Sequence, residues 1–156
     1  MQLFRHTYLA FFLLVLGTVT SVARAETASD HAASFQAGLL ETMKVAESLD
    51  VKGRYQKLQP VVEKAFHLQL MAGLSAGQFW QTASDDQRKR LVKAFTRMSI
   101  ATLATLFDGY SGQTFKVSGE RDCPHGVVFV DTLLQRHEDP DDDVKISYGA
   151  RKVHQE

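Results

Sequence analysis

SDDQRKRLVKAFTRMSIATLATLFDGYSG, residues 84–112, is the stretch whose reading decides the fold. Ser84 is a good N-cap, and Gln87 three residues on completes a capping box. Asp85 and Asp86 suit the positive end of a helix dipole. Leu91, Val92, Phe95, Ser99, Leu103, Leu106 and Phe107 recur at spacings of one, three and four, which draws one apolar stripe. Met98, Ala101, Thr102 and Ala104 widen it, so the second half should be the better buried, while Arg88, Lys89, Arg90 and Lys93 stay wet. Gly109 and Gly112 stop the helix and open a run of strand character. The rest of the chain is expected to pack on this helix. Its stripe reads either as ordinary core or as the wall of an apolar-ligand cavity, and periodicity alone does not separate the two.

Upstream, residues 1–25 read as a targeting segment. Arg5 and His6 make a basic start, residues 9–16 are an unbroken apolar run too short to span a bilayer, and Ala23-Arg24-Ala25 is a small-x-small cleavage pattern. No Cys follows the run where a lipoprotein anchor would need one. A soluble exported protein beginning at Glu26 is expected, with an uncleaved anchor as the alternative. Residues 26–156 are one domain's length. Both charged residues of the segment are Arg, so the remainder carries 16 basic against 18 acidic residues, a net charge of −2. With no basic excess, nucleic acid is not an expected partner. The one cysteine, Cys123, has no partner for an internal disulfide.

Residues 30–49 should form a first helix capped by Asp30, with Phe35, Leu39, Met43, Ala46 and Leu49 inward. A second begins at Gly53 and is expected to break or kink at Pro60. A third piece, residues 68–82, carries Leu70, Met71, Leu74, Phe79 and Trp80. Its Gly73 and Gly77 signal close packing or a bend. After Gly112 the period changes to 2. Phe115 and Val117 alternate with polar residues, residues 127–134 are mostly apolar on both faces, and Val144, Ile146 and Tyr148 alternate again. Residues 119–126 and 137–143 read as loops. Helices followed by a meander imply an α+β domain, with helices packed on one face of a curved antiparallel sheet.

Catalytic and metal signatures fail. Residues 139–143 resemble the start of an EF-hand, but Val144 stands at the glycine position and Ala150 at the bidentate glutamate. Cys123-Pro124-His125 has no second pair at zinc spacing. His67 reads as a half-buried, satisfied histidine. Ser111 lacks a nucleophile elbow, and no glycine-rich phosphate loop occurs. No catalytic residue, metal or cofactor is expected.

An ordered series of landmarks resembles one family. It comprises Gly53-Arg54-Tyr55 with Leu58 and Pro60, residues 66–71 and 77–80, Gln87-Arg88, Ala94-Phe95, Phe107, Tyr110-Ser111-Gly112 and Val130-Asp131-Thr132. The series, spanning residues 35–151, resembles the periplasmic MlaC or toluene-tolerance family, with hopanoid-associated relatives sharing much of it. The resemblance implies an apolar cavity between helices and sheet that holds phospholipid tails. It also implies a carrier working between an outer-membrane lipoprotein complex and an inner-membrane ABC transporter, maintaining outer-membrane lipid asymmetry. Phe66, Leu70, Met71, Phe95, Leu103 and Phe107 are the expected wall.

Family members continue beyond the Tyr148 strand with further strands and a C-terminal helix, so this chain is expected to lack them and to expose a strand edge. The competing reading is a small periplasmic α+β domain with an enzymatic or protein-interaction role. An enzyme would need a His and a carboxylate on inward strand positions, and Asp131 is the one inward candidate.

Overall fold

A computed structural model describes residues 26–136 and 143–151. Residues 1–25, where a targeting segment is expected, most of the acidic turn and residues 152–156 lie outside the described residues. The elements are α1 (Ala28–Met43), α2 (Val51–Ala65), α3 (Leu68–Ala76), α4 (Gln78–Thr82), α5 (Asp85–Leu106), β1 (Thr114–Cys123), β2 (Val127–Gln135) and β3 (Val144–Arg151). The domain is α+β, and its strands form an antiparallel sheet in the order β1-β2-β3.

The capping box of α5 is present in both directions. Ser84 N donates to Gln87 Oε1 at 2.7 Å and Gln87 N to Ser84 Oγ at 3.3 Å. The burial stripe is shifted from the expected one. Ile100, absent from it, is fully buried with Ala104, whereas Met98 and Leu106 are 59% and 68% exposed. The stripe runs through Phe95, Ser99, Ile100, Leu103, Ala104 and Phe107, because the packing partners α2 and α3 cover one flank of α5. The helix that packs most closely on β1 and β2 is α1.

α1 starts earlier than expected. Thr27 is its cap, and Asp30 closes the capping box from the third position. It also ends earlier, giving way to a 3₁₀ turn at Ala46–Ser48. The segment that follows is braced by Arg54, whose buried guanidinium donates to Leu49 O at 2.8 Å and to Ala46 O at 3.4 Å. Its Nε donates to Ala104 O, a carbonyl in the last turn of α5, at 2.8 Å. One cation thus ties the turn after α1 to the last turn of α5, where it meets a carbonyl that a helix end leaves unpaired and favours the negative end of the helix dipole.

α2, capped by Asp50, runs through Pro60 without interruption. Pro60 and Gln56 are exposed, so the carbonyl that loses its donor faces water, while Leu58 and Val62 on the other side are fully buried. Gly77, at φ +55° and ψ −131°, bends α3 into α4, a backbone that favours glycine.

β1 extends to Cys123 rather than ending in a loop. Its pairing shifts between Val117 and Gly119, a bulge at Ser118. A bulge reverses the alternation, so Glu120 stands opposite Val130 on the helix-facing side. There Glu120 Oε1 accepts from Ser29 N at 2.9 Å and from Ser29 Oγ, tying β1 to the start of α1. β2 is central, as both apolar faces implied. Val130, Thr132 and Leu134 are buried toward the helices, and the opposite face is half-buried. Among the described residues β3 pairs with β2 alone. One cluster of Phe35, Leu39, Leu58, Val62, Ile100 and Ala104 forms the core of α1, α2 and α5.

Candidate functional site

Beside that core, α1, the start of α3 and β3 enclose an apolar cleft of about 290 Å³. Each element reaches it by its own periodicity. α1 presents Ala28, Ala32 and Phe35, spaced by four and three, so small side chains open the space that Phe35 closes below. α3 presents Leu70, Met71 and Leu74, and the sheet presents Val130, Tyr148 and Ala150. The floor is aromatic: Phe35 meets Phe66 edge-on at 4.7 Å between ring centroids, and Tyr148 at 6.0 Å.

Polar groups of the lining are mostly engaged. His31 Nε2 donates to Ala65 O at 2.8 Å. His67 caps α3 through Nδ1, which accepts from Leu70 N at 3.1 Å, and it is exposed rather than half-buried. Burial raises the Tyr148 phenol above its ordinary pKa, so it stays neutral. Arg151, at the margin, supplies a permanent cation.

Phe66, Leu70 and Met71 of the expected wall converge on this cleft. Leu103 and Phe107 instead pack against the helical core. Phe107 also borders a separate, more polar groove with Met43, Asp108 and Arg136. Phe95 is half-buried on α5 and lines neither space. The contribution of α1 and β3 was missed. Phe35 and Tyr148 carried correct inward signals, but inward positions on separate elements do not say which of them meet.

Asp131 does not face inward. It stands opposite Ser147 on the face away from the helices, where Arg121 Nε reaches Asp131 Oδ2 at 2.6 Å and Ser147 Oγ donates to Oδ1 at 2.6 Å. Its chain neighbours Val130 and Thr132 take the inner side, and alternation places the residue between them outside. The bonds from Arg121 and then Ser147 hold its carboxyl at about 2, below the ordinary 3.8. Among the described residues there is no group of three or more His, Cys, Asp or Glu able to hold a metal, and no helix long and apolar enough to cross a membrane.

No curated protein matches the chain. Among solved structures it is similar to a phospholipid-binding protein from Ralstonia solanacearum, determined in complex with a phospholipid. The two are 16% identical with a TM-score of 0.68, over 79% of this chain and 69% of the other. That likeness is one of fold. The family model described as MlaC protein matches residues 34–156, nearly everything from the start of α1 onward, and the chain therefore belongs to the MlaC family.

Proposed function

We propose that this protein is a phospholipid carrier and not an enzyme. The observation that carries this reading is the cleft between α1, α3 and β3, lined chiefly by apolar side chains in a chain of the MlaC family. Each methylene moved from water into such a space gains about 0.8 kcal/mol, so an acyl chain can be held without a specific polar contact. Phe66, Leu70 and Met71 contact the chain, and Arg151 at the margin suits a phosphate head group. The phospholipid in the complex of the R. solanacearum protein supports the choice of ligand.

Exported by a cleavable segment ending at Ala25, the protein works in the periplasm. There it passes lipid between an outer-membrane lipoprotein complex and an inner-membrane ABC transporter, and so sustains outer-membrane asymmetry. Family membership and the targeting pattern support this placement. N-terminal sequencing of the exported form should read Glu26 first; Met1 retained would count against it. Organic extraction of the purified protein followed by mass spectrometry tests the ligand. Phospholipid should be recovered in near-stoichiometric amount, and a lipid-free protein that also takes up none from micelles would overturn the proposal.

A further inference from the structure

The sequence between Lys64 and Asp85 contains twenty consecutive residues with no Asp, Glu, Lys or Arg. Most of them form α3, the Gly77 bend and α4, and beyond Phe66 and Leu68, which pack on the core, the fold buries little of this stretch. Ala72 is the one buried residue of α3, and α4 has none. Two large apolar side chains of this hairpin point to solvent, Leu74 at 73% and Phe79 at 72% exposed, with Leu70 and Met71 partly exposed at the cleft. An apolar patch of this kind on a folded domain marks a surface that meets something apolar.

The flank of the hairpin identifies what. Trp80 packs on Gly73, whose Cβ would stand 3.2 Å from the indole. Arg88 Nε donates to Trp80 O at 3.0 Å and its guanidinium lies 5.6 Å from the ring. Lys89 and Lys93 line the same groove with Gln69 and Trp80. The first part of α5 carries Arg88, Lys89, Arg90, Lys93 and Arg97 against Asp85 and Asp86, a local net charge of +3 in a near-neutral chain. Exposed leucine and phenylalanine, an indole at their margin and a cationic shoulder form the arrangement that settles at a membrane–water boundary. The apolar tips enter among acyl chains, and the cations meet anionic head groups. The same α3 that bears Leu74 also walls the cleft.

We infer that the α3–α4 hairpin and the adjoining basic face of α5 dock this protein on the surface of an anionic phospholipid bilayer, with the cleft mouth against the lipid. The inference rests on the carrier reading for its purpose, and its test is separate. Trp80 is the chain's only tryptophan, so its fluorescence reports the hairpin alone. The full chain is mixed with phosphatidylethanolamine–phosphatidylglycerol vesicles containing brominated acyl chains. Quenching of Trp80 is expected, about tenfold weaker in affinity for the K89E/K93E variant and reduced by salt. Phe79→Asp, at an exposed position outside the cleft lining, should abolish quenching while leaving the melting temperature and the copurified lipid unchanged. Unquenched Trp80 in the parent chain, or quenching unaltered in Phe79→Asp, would overturn the inference. A parent chain that is quenched yet carries no lipid would sink the carrier reading and leave the docking surface standing.

Discussion

α1 borders two apolar regions of opposite character. Toward α2 and α5, Leu39 meets Leu58, Val62 and Ile100, all fully buried. Toward α3 and β3, Ala28 and Ala32 stand back, and Leu70 and Met71 remain exposed around an open cleft. Side chains of similar hydrophobicity line both. The difference is closure: large residues interlock on one side, while on the other small residues face large ones that lack a partner. The first region holds the fold, and the second holds apolar surface in reserve.

The comparison breaks most sharply at Leu58. Leu58→Ala opens a cavity at a site with no exposure and should cost about 2–5 kcal/mol of unfolding free energy in urea. A loss below about 1 kcal/mol would show that the helical core is not packed as a single unit. Arg54→Met comes next, because it leaves the Ala104 and Leu49 carbonyls without their donor. Orphaned buried acceptors cost roughly 1–3 kcal/mol each, so an unchanged melting temperature would mean that water replaces the guanidinium there.

A paired experiment sharpens the boundary between the regions. Leu103→Ser, against the core, should lower stability by about 1–3 kcal/mol whatever the ligand. Leu70→Ser, 46% exposed, should shift stability by about 0.5 kcal/mol or less while reducing the lipid recovered on extraction. Equal destabilisation by the two would place Leu70 in the core after all.

The smallest effect lies on the outer face of the sheet. The Asp131 carboxyl is held at about 2 against an ordinary 3.8, so the folded form favours its ionised state. Its stabilisation is present above the ordinary value and is lost as pH falls from about 3.8 toward 2. Acid titration followed by circular dichroism should therefore show a shallower loss in that window for Asp131→Asn than for the parent chain. Parallel curves would mean that Arg121 and Ser147 do not hold the carboxylate in solution.

The local signals in the chain were sufficient for its elements. The Ser84–Gln87 capping box, the Gly77 bend and the period-2 runs depend on neighbours within a few residues, so residue order alone specified an α+β domain with β2 central. Where neighbours in space intervene, the reading changed. α1 ended early, before a turn whose Ala46 and Leu49 carbonyls Arg54 holds, and β1 ran past a bulge at Ser118 and stayed paired with β2 through what looked like a loop. The packing of Leu58 and Val62 carried α2 through Pro60. An apolar period reports that a face is covered, not by what. Only tertiary structure could separate Leu103 and Phe107, set against the core, from Leu70 and Met71, set around the cleft, and join Phe35 to Tyr148 across more than a hundred residues of chain.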